Sequence, residues 1–482
     1  MIRWGHLLQI LGFMVLALAA ILGIVSLLAW FMGDSGLIPL AAAFLIATAL
    51  GTFLTLVFRF DGQDFNHREG ILLVIVIWVV VVLLGALPFY FSPFFTSFTD
   101  ACFESVSGFT TTGATILRDI EAVPKSLLLW RSLTQWIGGM GIILLGIAIL
   151  PLIGIGGKEL YRAEFSGAKS EKLTPRVRET ALALWKLYLA FSLAEYVVLR
   201  WAGMNSFDAV CHTFSTMATG GFSPRNTSIE AFANPAIEGI IIFFMIIAGI
   251  NFTQHYRLLV EGRARPILSD AEVRLYFILI SISTAAVALT SIPNSDSVVQ
   301  KLRIALFQVV SIMTGTGLTS SNFGLWTPFA QLLLLALMFA GGCTGSTTGG
   351  LKLARLYLLF RVVAREFRRM VERRGVFAIR FNHEAVSDYA IQSLLNLIYL
   401  SFLVNFAACM ALTALGVDVL TSIAAVAASM FNVGPGLGNV GPADGYAHMP
   451  VVAKWILSFC MLAGRLEFYT LLVLFTPAFW KK

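Results

Sequence analysis

Apolar runs of some 20 residues recur along this chain, and nothing constrains its folding more. A run that long with few charges is what an α-helix needs to cross the roughly 30 Å hydrocarbon core of a bilayer. Ten spans are expected, at about 7–32, 37–58, 71–91, 127–152, 180–200, 236–255, 273–292, 328–360, 386–415 and 451–477. The 482 residues are 58% hydrophobic and 13% charged, about half the charge of a soluble fold, which excludes an ordinary cytosolic enzyme. Leu7–Met32 is too long for the apolar core of a cleaved signal and is expected to stay as a helix. The five cysteines, Cys102, Cys211, Cys343, Cys409 and Cys460, fall in or beside apolar segments without CxxC spacing. They read as packing residues, not as a disulfide framework.

The net charge of +7 marks orientation rather than nucleic-acid binding, because the basic residues sit in the connections. Alternating the connections puts about two thirds of the 34 basic residues on one side: the N-terminus, 59–70, 154–180, 256–274, 353–385 and the C-terminal lysines. By the positive-inside rule that side, with both termini, is expected to be cytoplasmic. Segment 353–385 carries Arg355, Arg361, Arg365, Arg368, Arg369, Arg373, Arg374 and Arg380. It reads either as a solvated or headgroup-facing surface or as a docking face for a cytosolic partner.

The connections on the opposite side are of another kind. Four times, a half-apolar stretch of 12–16 residues leads into a short run rich in Gly and Thr before the next long span. The runs are Gly108-Phe109-Thr110-Thr111-Thr112-Gly113-Ala114, Met217-Ala218-Thr219-Gly220-Gly221-Phe222, Met313-Thr314-Gly315-Thr316-Gly317-Leu318 and Asn432-Val433-Gly434-Pro435-Gly436-Leu437. Aligning the penultimate glycine of each matches positions 113, 221, 317 and 436. The preceding stretches are too short to span and read as half-helices. The expected fold is an all-α polytopic membrane protein: two extra N-terminal helices, then four units of helix, pore half-helix, loop and helix in pseudo-four-fold arrangement around one ion pore. The units fall at 1–70 (N-terminal pair), 71–153, 154–256, 257–360 and 361–482.

Irregular backbone cannot face lipid, since unpaired N–H and C=O groups cost several kcal/mol each there; it survives at membrane depth only lining water or buried in protein. Four such loops are therefore expected to share one axis. Glycine admits backbone conformations that let successive carbonyls point inward. A ring of carbonyl oxygens replaces the hydration shell of a weakly hydrated monovalent cation, and the carbonyl end of each half-helix adds partial negative charge.

On these residues the chain resembles the TrkH/KtrB/HKT superfamily of potassium transporters, of the bacterial TrkH type, over essentially its whole length. The segment Ser105-Val106-Ser107-Gly108-Phe109-Thr110-Thr111-Thr112-Gly113-Ala114 is the most distinctive. Gly341-Gly342-Cys343-Thr344-Gly345-Ser346-Thr347-Thr348-Gly349-Gly350-Leu351-Lys352 and Gly464-Arg465-Leu466-Glu467 carry the likeness further. The resemblance implies a K⁺ selectivity filter at Thr111, Thr112, Gly113; Thr219, Gly220, Gly221; Gly315, Thr316, Gly317; and Gly434, Pro435, Gly436. Similar plant proteins that prefer Na⁺ can have Ser at the first filter glycine, and this chain keeps Gly113. Pro435 departs by stiffening the fourth loop.

From Gly342 to Gly350 the span 328–360 holds only Gly, Cys, Ser and Thr, and glycines cost about 1 kcal/mol each in a helix. A close small-residue helix contact is one reading. The resemblance implies the other, an intramembrane gating loop beneath the filter made by Gly342, Gly345, Ser346, Thr347, Thr348, Gly349 and Gly350, with Lys352 adding cationic repulsion. Arg465 lies mid-span, where an arginine costs roughly 2.5–3.5 kcal/mol, so it must face the pore or a carboxylate. It cannot face Glu467 on its own helix, two residues on. By resemblance it is the electrostatic barrier below the filter. Glu104, Arg131 and Glu467 are expected to be structural intramembrane pairs. His212 and His255 have no second ligand at helical spacing and read as buried or interfacial, not metal-binding. Trp130, Trp136, Trp185, Trp201, Trp326 and Trp455 suit interfacial anchoring.

The function expected is K⁺ uptake across the bacterial inner membrane, with K⁺ as transported ion and no cofactor. The alternative is an H⁺- or Na⁺-coupled symporter, for which Glu195, Glu238 and Glu467 are the few candidate coupling groups. An intramembrane hydrolase is set aside, because Gly345-Ser346-Thr347-Thr348-Gly349 is not a nucleophile elbow and no histidine has a place beside Ser346. The resemblance also implies a homodimer on a cytosolic TrkA-like ring of nucleotide-binding regulatory subunits. The chain itself has no P-loop or dinucleotide fingerprint, so nucleotide control would belong to that partner. Segments 353–385 and 154–180 are expected to form much of the docking face.

Overall fold

The computed structural model describes residues 3–59, 66–148, 177–263, 267, 269–290, 292, 297–382 and 384–480. The basic connection 154–180 lies outside the described residues up to 176, as do the C-terminal lysines. The chain is mostly helical. α1 (Trp4–Met32) and α2 (Leu37–Val57) form a hairpin in which a Cβ on Gly12 would meet Leu54 and Thr55, and one on Gly51 would meet Leu16. Small residues here let two backbones approach. At one end Asp34 accepts from the Ser126 N–H (2.8 Å) and hydroxyl (2.6 Å); at the other, Arg3 pairs with Glu69 at 2.8 Å.

The remaining elements follow in order: α3 (His67–Tyr90), α4 (Phe98–Phe109), α5 (Lys125–Ala148), α6 (Val177–Trp201), α7 (Ser206–Met217), α8 (Pro235–Ala248), α9 (Phe252–Leu259), α10 (Ala271–Ala288), α11 (Val298–Met313), α12 (Pro328–Ala340) and α13 (Leu353–Val371). A short hairpin pairs β1 (Arg380–Phe381) with β2 (Glu384–Ala385). After it come α14 (Asp388–Ala414), α15 (Val419–Met430), α16 (Val451–Arg465), α17 (Tyr469–Leu472) and α18 (Pro477–Trp480).

Among the described residues six helices are long and apolar enough to cross a membrane, or eight if each of two bent pairs counts as one span. Ten spans were expected. Of the four that differ, 127–152 runs beyond Ala148, the last described residue of α5, and the other three have physical causes. The 236–255 span is two helices, α8 and α9, bent by 101°; the 451–477 span breaks between Arg465 and Tyr469 with a bend of 113°. The 328–360 span is interrupted between α12 and α13.

The short helices α4, α7, α11 and α15 begin in the same way. Ser97, Asn205, Ser297 and Asp418 each accept a hydrogen bond from the backbone N–H three residues on, satisfying one of the four orphan donors of a helix start. Each also packs against the long helices on both sides of it in sequence. A further set of contacts links neighbours: α5 with α7, α8 with α11, α12 with α15, and α16 with α4. These close on themselves, so the four short helices are brought into one cluster.

Candidate functional site

All four Gly/Thr runs leave a short helix through the same turn. Thr111 N donates to Gly108 O (2.9 Å), Thr219 N to Thr216 O (2.9 Å), Gly315 N to Ile312 O (3.1 Å) and Asn432 N to Ser429 O (3.3 Å). The next N–H reaches back five residues: Thr112 to Ser107 and Thr316 to Ser311, Gly220 to Ser215 and Val433 to Ala428, all at 2.8–2.9 Å. Residues 111, 219, 315 and 432 are left-handed, with φ of 54°, 52°, 68° and 53°. Three of them are not glycine, and such a conformation costs of order 1–3 kcal/mol unless its surroundings fix it.

Two residues later Gly113, Gly221, Gly317 and Gly434 take φ of 83°, 81°, 74° and 94°. The fourth member is thus Gly434, two residues before the glycine that alignment of the runs selects. Gly436 is not in the left-handed region; its N–H instead donates to Val440 O at 2.8 Å. Two glycines flank Pro435 in this run, and aligning run ends takes the second of them.

These glycines are also where the runs meet. A Cβ on Gly113 would strike the Gly220 carbonyl oxygen, one on Gly221 that of Thr316, one on Gly317 that of Val433, and one on Gly434 that of Thr112. The sequence of contacts returns to its start. The four glycines line the floor of a cavity of about 550 Å³, whose walls include Arg118, Arg225, Asp444 and His448.

Side chains hold the ring from outside and within the runs. Gln135 of α5 donates to Gly220 O (2.5 Å) and accepts from Phe222 N (3.1 Å). Tyr446 donates to Gly434 O (2.8 Å), and the Asn432 amide to the Thr112 hydroxyl (2.8 Å). Gln135 and Tyr446 have no place in the sequence reading, and Asn432 enters it only as the first residue of the fourth run. A polar residue on an otherwise apolar span was the available signal for Gln135.

Glu104 and Arg131, both buried, pair at 2.6 Å. Glu104 also accepts from the Thr115 hydroxyl (2.8 Å) and Ile116 N (3.0 Å), while Arg131 donates to Ser223 O (3.0 Å) and stacks 3.5 Å over Phe222. The pair thereby ties the segments that follow the first two runs. His212 contacts Asp208 O and the Ser223 hydroxyl, and His255 contacts Ile247 O.

On the other side of the ring lies the interruption, 341–352. Gly341, Gly345, Gly350 and Lys352 are left-handed, with φ between 72° and 80°, which ends the helix. The segment bonds to two other parts of the chain, at Met217 and Gly249 and at Phe431. Cys343 N donates to Gly249 O (2.9 Å), Gly350 N to Phe431 O (3.1 Å), and the Thr347 hydroxyl to Met217 O (3.2 Å). Gly349 N lies 3.6 Å from where a Gly315 Cβ would stand, directly beneath the ring. Lys352 curls back to donate to the Thr348 carbonyl. The Ser346 hydroxyl donates to Cys343 O (2.5 Å) and meets Thr348 Oγ1 at 2.7 Å.

Arg465, buried at the end of α16, donates to Thr347 O (2.9 Å) and to Gly138 O of α5 (3.0 Å). It reaches across the interruption to α5, so the interruption, α5 and α16 are joined there. Glu467 pairs with Arg355 of α13 at 2.7 Å. Close approach is again bought with glycine: Cβ atoms on Gly138 and Gly464 would strike the carbonyls of Phe109 and Met430, the last residues of α4 and α15.

Comparison with known proteins is consistent across the chain. The sequence profile of the TrkH family, described as a cation transport protein, matches residues 39–482. The Trk system potassium uptake protein TrkH of Salmonella typhimurium is 41% identical over 481 residues, covering 98% of this chain and 99% of that one. Its namesake in Escherichia coli (strain K12) is 40% identical with the same coverage. The crystal structure of the potassium transporter TrkH from Vibrio parahaemolyticus superposes with a TM-score of 0.92 at 36% identity, covering 99% of this chain and all of that one. A polytopic helical chain whose Gly/Thr turns close into a ring, and which matches these proteins end to end, belongs to the TrkH family of cation transport proteins.

Proposed function

We propose that this chain carries K⁺ into the cell across the bacterial inner membrane, through a pore formed by four quasi-equivalent repeats about one axis. The observation that carries the reading is the closed contact of Gly113, Gly221, Gly317 and Gly434 with the carbonyls of Gly220, Thr316, Val433 and Thr112. Close-set carbonyl oxygens on loop backbone are the ligands that replace water around K⁺. The filter comprises Thr111, Thr112, Gly113; Thr219, Gly220, Gly221; and Gly315, Thr316, Gly317. In the fourth run the equivalent residues are Asn432, Val433 and Gly434, with Pro435 and Gly436 behind them. The cavity above serves as outer vestibule.

Residues 342–350 act as the gate, with Lys352 and Arg465 as fixed positive charges on the ion's path. Arg465 keeps its charge beneath the filter because it bonds to two carbonyls rather than to a carboxylate. Opening requires that the segment leave Thr347's contacts with Met217 and Arg465. A nucleotide-binding cytosolic regulator, with the chain as a homodimer, would supply that displacement. The curated relatives belong to a named system, which fits a transport subunit with separate regulators.

The coupled-symport alternative is weakened at two of its three candidates, since Glu238 pairs with Arg303 at 2.8 Å and Glu467 with Arg355. Glu195, fully buried on α6, is the remaining one. The test is ion flux in proteoliposomes of the chain alone, with K⁺ and Na⁺ compared under imposed pH gradients, for wild type, Gly113→Ser and Glu195→Gln. A channel-like pathway follows the K⁺ electrochemical gradient alone and loses discrimination in Gly113→Ser. Flux driven uphill by a proton gradient and abolished in Glu195→Gln would establish the symporter instead.

A further inference from the structure

Glu272 stands in the first turn of α10, buried, where an acidic residue reads from sequence as no more than a complement to the helix dipole. In the structure its Oε1 accepts three hydrogen bonds. They come from Thr344 N at 2.7 Å, the Thr344 hydroxyl at 3.0 Å and Ala354 N at 2.9 Å. Thr344 lies near the start of the interruption and Ala354 in the first turn of the helix that follows it. One carboxylate oxygen therefore holds both ends of the non-helical segment.

The second end matters because α13 has no side-chain cap of its own: its N-cap position is Lys352, at φ 72°. The opening N–H groups of a helix lack partners within it, and their dipole favours an anion. Glu272 supplies that anion from another helix. The same turn of α10 is tied outward as well. Asp270 caps α10 through Glu272 N at 2.8 Å, while its Oδ2 accepts from Gln254 of α9 and Asn382 of the β1–β2 turn, each at 3.1 Å. Asn382 Oδ1 in turn accepts from Ala271 N at 2.8 Å.

We infer that Glu272 is the latch that keeps segment 341–352 in its obstructing conformation, and that movement of the β1–β2 hairpin or of α13 is relayed to the pore through it. The inference rests on the reading of 342–350 as the gate and deepens it. Glu272 is a positioning residue; the ion meets only the segment it holds. Three donors on one charged oxygen make a stronger restraint than neutral bonds would, and releasing them frees both ends of the segment together.

The test is K⁺ and Na⁺ flux in proteoliposomes of the full chain alone, at matched protein content. Wild type is compared with Glu272→Gln, Glu272→Ala and a chain shortened across Gly345–Thr348. The expected result is a rise in K⁺ flux of about tenfold for Glu272→Ala, the scale of a typical coupling between sites, and a smaller rise for the isosteric Glu272→Gln. The ratio of K⁺ to Na⁺ flux stays at the wild-type value in both. A merely structural role would lower flux or blur selectivity, so a gain with the ratio preserved is the discriminating readout. If Glu272→Ala does not yield folded protein, Glu272→Gln decides. Should the shortened chain leak while the Glu272 variants conduct like wild type or less, the latch is overturned and the gate stands. Should the shortened chain not leak, the gate reading falls and takes the latch with it.

Discussion

Gly434 and Gly436 flank Pro435, and only the first belongs to the ring. At Gly434 an added Cβ would enter a left-handed backbone at φ 94° and lie 3.0 Å from Gly113 C, against the Thr112 carbonyl. At Gly436 the backbone is not left-handed, and the nearest atom is the side-chain Cγ2 of Val440 at 2.9 Å. Gly434→Ala is therefore expected to cut K⁺ flux at least tenfold, since the conformation alone costs roughly 1–2 kcal/mol and the collision is with backbone. Gly436→Ala should lower thermal stability while keeping K⁺ over Na⁺ discrimination. Paired flux and melting measurements on the two variants check this. Aligning the ends of the runs selects Gly436, because the fourth run offers two glycines and its second stands just before the closing Leu437. Only the hydrogen bond from Val433 N to Ala428 O, matching that from Thr112 N to Ser107 O, resolves the register in favour of Gly434. Glu104→Ala makes the complementary case: it strands Arg131 without its carboxylate, and unfolding in detergent should show a loss of about 3–5 kcal/mol, typical of a broken buried pair.

At the scale of elements, the short helices were legible because their ends are written locally. A Ser, Asn or Asp precedes each, and a Gly or Thr run follows. The interruption of 328–360 was legible for the same reason, from nine consecutive small residues. The breaks at Gly249–Asn251 and Leu466–Phe468 were not. A hydropathy window still passes each as one span despite Asn251, Arg465 and Glu467, and the causes are tertiary. Gly249 O is engaged by Cys343 N, and Phe252 N by Gly345 O. The second break follows Arg465, whose two bonds fix the end of α16 to Thr347 and Gly138. Arg465→Ala removes both bonds and a positive charge, and K⁺ flux through the chain alone is expected to rise several-fold. Flux at or below wild type in correctly folded Arg465→Ala would show that the side chain braces the pore instead of obstructing it.

Over the whole molecule, the arginines of 353–385 do not form one surface. Arg355 is buried and paired with Glu467, and Arg365 is half-buried against Asp388. Arg361, Arg368, Arg369, Arg373 and Arg374 are exposed, and beside them stand exposed Phe360, Phe367 and Met370. Sequence could count these charges but could not divide them, since burial depends on what α14 and α16 bring alongside. Reversing Arg368, Arg369, Arg373 and Arg374 to Glu should abolish co-purification with the proposed regulatory ring and leave flux of the isolated chain unchanged. Retained co-purification would move the docking face elsewhere. A last consequence follows from the ring being one polypeptide. In an assembly of identical subunits every substitution is copied into each subunit, whereas here Asn432 occurs once, and its amide spans from Thr112 to Met461 O without a counterpart among the described residues. Selection can therefore retune one contact of the ring of glycines by itself, an asymmetry that no homotetramer could encode.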